Sequence, residues 1–253
     1  MSIGRIDAYN IKIDPLTMNE AVTKCISLSK QRYKKTNYVV TPNVNHIVLL
    51  DSDEELRQSY NSASLVLIDG KPVKWSLQIL GHKIQEVVPG SSLTMEIFDK
   101  VNASENTSVF LLGAKEGVAM KAASVINNKW PNISVRGYYS PPIGFEKDQH
   151  ECEKIVKLVN RSNPDILVIG LGAPKQEIWI HKNSQNLNVG LALCVGATID
   201  FISGDVKRAP LWMQKIGLEW LFRVYSEPRR LFLRYIKDGI RFPVIFLRHC
   251  LQK

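Results

Sequence analysis

Residues 167–180 read "LVIGLGAPKQEIWI". Three apolar residues, the pattern of a buried strand, run into Gly170-Leu171-Gly172, then a proline, then polar residues that can open a helix. A strand that is apolar throughout, rather than alternating, is what a parallel sheet covered by helices on both faces requires.

The same texture recurs along the chain. Strands are predicted at 37–43, 65–70, 108–114, 133–139, 165–172 and 191–197. Helical patterns are predicted at roughly 52–63, 73–80, 91–103, 116–130, 147–162 and 175–186. This alternation predicts a Rossmann-like open, mostly parallel α/β sheet with helices on both faces. In such sheets ligands bind beyond the carboxyl ends of the strands. Those ends carry Thr41-Pro42-Asn43, Asp69-Gly70, the turn after Gly113, residues 138–142, residues 172–177 and residues 196–200. A parallel sheet would bring all of them to one rim.

The chain divides at about residue 204. Residues 1–204 form the predicted Rossmann-like core. Residues 205–253 form a helical, basic and aromatic C-terminal appendage of two or three helices, divided at Pro210, Pro228 and Pro243, where a helix interior is disfavoured. Of the chain's formal net charge of +9, +7 lies in these last 49 residues, interleaved with eight aromatic side chains. Such asymmetry points to an anionic partner, against the plainer alternative of a solvated helical face.

Composition narrows the classes further. With 45% hydrophobic and 23% charged residues, the chain is an ordinary globular one. Its four cysteines are widely spaced, which is neither a disulfide framework nor a zinc site. No apolar run reaches transmembrane length, and the first residues carry charges where a signal peptide needs an apolar core. A protein that stays inside the cell is expected.

The loop at 170–177 departs from a dinucleotide fingerprint. The third glycine position holds Lys175, and no acidic residue stands about 20 positions on, where a ribose partner belongs. A nucleotide-dependent oxidoreductase is therefore disfavoured. Two glycines before a helix still let backbone N–H groups meet a phosphate, and Gln176 and Glu177 in the first turn are candidates for sugar hydroxyls or a base edge. The turn after Gly113 is a second strand–loop–helix of the phosphate-binding kind, without the lysine and hydroxyl of a P-loop.

Asp51-Ser52-Asp53 has the D-x-D form of a metal-dependent sugar-nucleotide site, but it precedes a helical pattern and reads better as its cap. The five histidines have no metal-ligand spacing. Asp69 follows "LVLI". It is either a turn residue before Gly70 or a carboxylate whose burial demands a partner or a task, such as general-base catalysis. A nucleic-acid-binding role for the basic tail lacks any recognisable reading module.

Taken together, Thr41-Pro42-Asn43, "LVLIDGKPV", "VFLLGA", "GLGAPKQEIWI", "VGATIDFISGDVKRAP" and "GLEWLFRVYSEPRRLFLRY" resemble the WecG/TagA/CpsF glycosyltransferases of bacterial surface-polysaccharide and teichoic acid assembly, in the family's order and over residues 38–240. The resemblance implies transfer from a UDP-sugar, such as UDP-N-acetylmannosamine, its uronic acid or UDP-glucose, to a polyprenyl-diphosphate-linked sugar. It implies inversion of the anomeric configuration and no metal or other cofactor. It implies Asp69 as general base, with Thr41 and Asn43 in the same pocket. It also implies Gly113, Gly172, Pro174, Gln176, Glu177 and Arg208 along the substrate rim, and Arg223 and Arg230, with Arg234 nearby, facing the departing diphosphate. The appendage would complete the site and meet an anionic membrane at the cytoplasmic face, with self-association a further use of its exposed aromatics. No nucleic acid is implied. Two departures stand out: Leu233 where many relatives carry a second arginine, and Glu86-Val87 where Glu-Arg is usual. Both bear on substrate choice.

Overall fold

A computed structural model describes residues 4–32, 35–103 and 105–251, with the side chains of Lys215 and Arg230 outside the described residues. A short antiparallel hairpin, β1 (Ile6–Ala8) and β2 (Ile11–Ile13), precedes helix α1 (Met18–Ser29). The core then alternates: β3 (Asn37–Val40), α2 (Val44–Leu50), α3 (Glu54–Asn61), β4 (Leu65–Val66), α4 (Lys71–Ile79), α5 (Gly90–Asn102), β5 (Thr107–Gly113), α6 (Val118–Lys129) and β6 (Ile133–Tyr139). It continues through α7 (Gln149–Ser162), β7 (Ile166–Gly170), α8 (Lys175–Asn183), β8 (Leu191–Cys194) and α9 (Thr198–Ser203).

The six core strands form one parallel sheet in the order β4-β3-β8-β7-β5-β6. Successive residues of each strand point to opposite faces, and both faces are covered. Phe110 and Leu112 pack into one apolar cluster with Trp179 and Ile180, while Val109 and Leu111 pack into another with Ala122 and Ile126. That double burial is why the strands read as unbroken apolar runs. All six predicted strands are present, although β3 and β4 stop at Val40 and Val66, short of the predicted ends.

The sequence pattern predicts neither the hairpin nor α1, α2 and α9. The hairpin is too short to show a period. Helix α2 is a single two-turn helix begun by its own cap: Asn43 Oδ1 accepts from the backbone N–H groups of Asn45 and His46.

After Gly204 three helices follow: α10 (Leu211–Ile216), α11 (Glu219–Ser226) and α12 (Pro228–Leu251). Pro210 and Pro228 flank helix starts as expected, but the division expected at Pro243 does not occur; α12 runs through it. Tertiary packing offsets the lost hydrogen bond. Ile245 is buried and Phe242 packs on the core, and beyond the proline His249 Nε2 accepts from the Tyr9 N–H at 2.8 Å and stacks on its ring.

Candidate active site

The carboxyl ends of the core strands open into one cleft of about 910 Å³, at the upper end of the range for small-molecule sites. Its walls include Thr41 and Asn43 after β3, Asp69 and Gly70 after β4, Ala114 and Lys115 after β5, residues 170–173 after β7 and residues 195–197 after β8. The facing wall comes from the appendage, through Glu219, Trp220, Arg223, Arg234, Tyr235 and Asp238. The predicted convergence of strand ends is therefore present, and the appendage closes the cleft.

Close packing at the rim depends on glycine. At Gly113 the backbone has φ +117°, and a Cβ there would lie 2.5 Å from the carbonyl of Gly170. The glycine lets the ends of β5 and β7 approach, and the Ala114 N–H donates to the Gly170 carbonyl oxygen at 3.2 Å.

Asp69 sits at the foot of the cleft. Its backbone N–H donates to the Pro42 carbonyl oxygen at 3.0 Å, tying the end of β4 to the loop after β3. Gly70, at φ +90°, turns the chain sharply into α4. No hydrogen bond to the Asp69 carboxylate is present among the described residues. Burial, reinforced by the nearby Glu219 carboxylate, raises its pKa to about 7, against the opposing pull of His46, Arg223 and Arg208. A carboxylate held near neutrality, open to a cleft and without hydrogen-bond partners among the described residues, is equipped to take a proton.

Around it are arginines with spare donors. The Nε atoms of Arg208, Arg223 and Arg234 are buried and make no hydrogen bond among the described residues. Arg223 lies over the ring of Phe201 at 5.9 Å and Arg234 over Tyr235 at 5.3 Å. Arg208 donates to Ser92 Oγ at 2.8 Å and faces Glu219 at 3.7 Å. Buried donors without acceptors are costly, and a diphosphate would supply acceptors for them. The side chain of Arg230, expected beside them, lies outside the described residues.

Thr41, Asn43, Asp69, Gly172, Gln176, Arg223 and Arg234 line the cleft; Gly113, Pro174, Glu177 and Arg208 do not. Gly113 acts through the backbone approach described above. Pro174 precedes α8 as its N-cap. Arg208 reaches the appendage wall only through Glu219, at 3.7 Å. The expected contact of Glu177 with sugar hydroxyls does not fit its burial away from the cleft, at 0% exposed, whereas Gln176, 2% exposed, lines the cleft with its side chain engaged by the protein itself. Gln176 Oε1 accepts from the N–H groups of Gly172 and Gly196, each at 3.3 Å, fastening two strand-end loops together. Glu177 accepts from Gln176 Nε2 at 2.7 Å and lies 3.5 Å from His46 Nε2.

Lys175, in place of the third Rossmann glycine, pairs with Glu146 at 2.9 Å. Asp53 caps α3 by accepting from the Leu56 N–H, and Asp51 pairs with Arg248 at 2.9 Å. Among the described residues no three His, Cys, Asp or Glu side chains gather as metal ligands would. Glu219 and His46 were missed as site residues. Glu219 stands in the quoted "GLEW", yet only the docking of α11 brings it near Asp69. His46 shows no metal spacing, and the sequence offers no sign that α2 aims it at the cleft.

The profile described as Glycosyl transferase WecG/TagA/CpsF family matches residues 6–253. Among similar proteins is the N-acetylglucosaminyldiphosphoundecaprenol N-acetyl-beta-D-mannosaminyltransferase of Bacillus subtilis (strain 168). It is 29% identical over 216 residues, covering 84% of this chain and 82% of the relative. A protein of the same name from Staphylococcus aureus (strain MW2) is 26% identical over 228 residues, covering 90% and 87%.

Proposed function

The chain belongs to the WecG/TagA/CpsF family of glycosyl transferases, and from that premise we propose that it moves a sugar from a UDP-sugar to a polyprenyl-diphosphate-linked sugar, inverting the anomeric centre without a metal. The relatives' names specify a diphosphoundecaprenol-linked N-acetylglucosamine and transfer of N-acetylmannosamine. Those are the first acceptor and donor to try. The observation that carries the reading is Asp69: a carboxylate with its pKa near 7, in the same cleft as arginine donors that lack acceptors.

The donor lies along the rim near Gly172, its diphosphate toward Arg223 and Arg234. Asp69 takes the proton of the acceptor hydroxyl. That oxygen bonds to the anomeric carbon from the face opposite UDP, and the bond from that carbon to the diphosphate oxygen breaks. UDP leaves with the electron pair, and guanidinium groups meet the developing charge.

The appendage suits a lipid-linked acceptor. Along α12, Leu233, Ile236, Ile240, Val244, Leu247 and Leu251 are exposed at helical spacing, while Leu231 and Ile245 are buried on the core side. Arg229, Lys237, Arg241 and Arg248 are also exposed. An apolar stripe beside cations fits an anionic bilayer surface. No helix among the described residues is long and apolar enough to cross a membrane.

The test is UDP release across a panel of UDP-sugars, with a short-chain polyprenyl-diphosphate N-acetylglucosamine as acceptor. Acceptor-dependent release that disappears in Asp69→Asn is expected. Full activity in that variant removes Asp69 from the base role.

A further inference from the structure

Glu177 poses a physical question. It is fully buried, its Oε2 has no hydrogen-bond partner among the described residues, and it does not reach the cleft. A carboxylate in that position is costly unless it serves something. What it faces is His46, with Oε1 at 3.5 Å from Nε2. The other nitrogen of that ring, Nδ1, is 2.8 Å from Asn43 Oδ1 and 3.3 Å from the Asn43 N–H. Asn43 and His46 both line the cleft with Asp69.

We propose that Glu177 and His46 form a relay behind the cleft, in which Glu177 orients the imidazole and His46 positions the Asn43 amide and tunes Asp69 as base. The inference rests on the reading of Asp69 given above. His46 and Glu177 touch neither donor nor acceptor in this scheme; they are positioning residues.

The geometry fits the assignment. Nδ1 is engaged by Asn43 within the capping turn that starts α2, so ring and cap hold each other. With a proton on Nε2, the ring points that proton at the Glu177 carboxylate. Tyr60 flanks the ring at 6.4 Å between centroids, limiting its rotation. An N–H of such a ring turned toward a carboxyl favours its ionised form. That influence is felt at Asp69 and also at Asp238, which accepts from Asn45 Nδ2 at 3.1 Å. The groups acting on Asp69 are thus His46 from α2, Arg223 and Glu219 from α11, and Arg208 from the segment before α10. Those around His46 are Glu177 from α8, Tyr60 from α3, Asp69 after β4 and Asp238 from α12. Among the groups facing Asp69, His46 is the one that α8 supports through a buried carboxylate.

The test follows the acidic limb of kcat/KM, read from UDP release against pH, in the wild type, Asp69→Asn, His46→Gln and Glu177→Gln. UDP affinity and melting temperature are measured on each. In His46→Gln the limb moves to higher pH, and below it activity falls on the order of tenfold for each pH unit moved. The loss lies in kcat more than in KM, and raising the pH restores part of it. Glu177→Gln moves the limb in the same direction by less. Should His46→Gln not fold, Glu177→Gln decides, because it keeps the shape of the side chain. A limb that stays in place in a folded variant, or kcat lost equally at every pH, overturns the relay. Turnover that survives in Asp69→Asn overturns the base reading instead, so the two failures are distinct.

Discussion

Asp69 carries a testable cost. Its pKa rises from 3.8 to about 7 in the folded protein, mainly through burial. The folded state therefore holds this proton more tightly than the unfolded chain does. Stability from this group is fully present at acid pH, falls as pH climbs from 3.8 toward about 7, and stays reduced above that. At about 1.4 kcal/mol for each pKa unit, the ceiling is about 4 kcal/mol. Solvent in the open cleft and relaxation around the charge bring the expected cost to about 2 kcal/mol. Asp69→Asn keeps the shape and removes the charge. We expect that variant to melt higher than the wild type at pH 8, by roughly 4–8 °C for a chain of this size. At pH 5 the gain should be smaller, and it should vanish only below about 3.8, where Asp69 is protonated in both the folded and the unfolded state. The assay is thermal unfolding by circular dichroism at both pH values, alongside UDP release at pH 8. An equal or lower melting temperature at pH 8, or a gain of the same size at pH 5, would refute the idea that a costly buried charge has been retained for chemistry.

Other outcomes follow from the same geometry. Arg223→Gln should weaken UDP binding roughly 10- to 100-fold, from lost charge-assisted hydrogen bonds, with calorimetry as the readout; unchanged affinity places the diphosphate elsewhere. Full turnover is expected in excess EDTA, and a metal requirement would reopen the metal reading of Asp51 and Asp53. Ile240→Glu on the exposed stripe of α12 should lower co-sedimentation with anionic vesicles roughly tenfold or more, while leaving the melting temperature near that of the wild type; self-association that vanishes in the variant without any change in vesicle binding would assign the stripe to a second copy. Gly113→Ala should destabilise the fold by about 1–3 kcal/mol, because a Cβ would press on the Gly170 carbonyl; an unchanged denaturant midpoint would show that the loop yields.

Much of this molecule is legible in its sequence, for a physical reason. Strands buried on both faces must be apolar at every position, so "LVLI", "VFLL" and "LVIG" announce a parallel sheet without help from any partner. The rule that ligands gather at strand ends then singles out Thr41, Asn43, Asp69 and Gly172. The family's motifs add the arginines. What the sequence by itself could not determine is direction. The helical pattern from Lys175 identifies α8 but not which way its first turn faces, and the packing of α8 against α3 brings Glu177 up to His46, buried rather than exposed to substrate. Pro243 should end a helix by local preference, yet burial of Ile245 and the bond from Tyr9 to His249 carry α12 through it. Local rules set strand and cap, because backbone hydrogen bonding and φ preferences act within a few residues. Tertiary structure alone placed Glu219 and the arginines of α11 and α12 around Asp69, because charge and burial depend on neighbours that are distant in sequence.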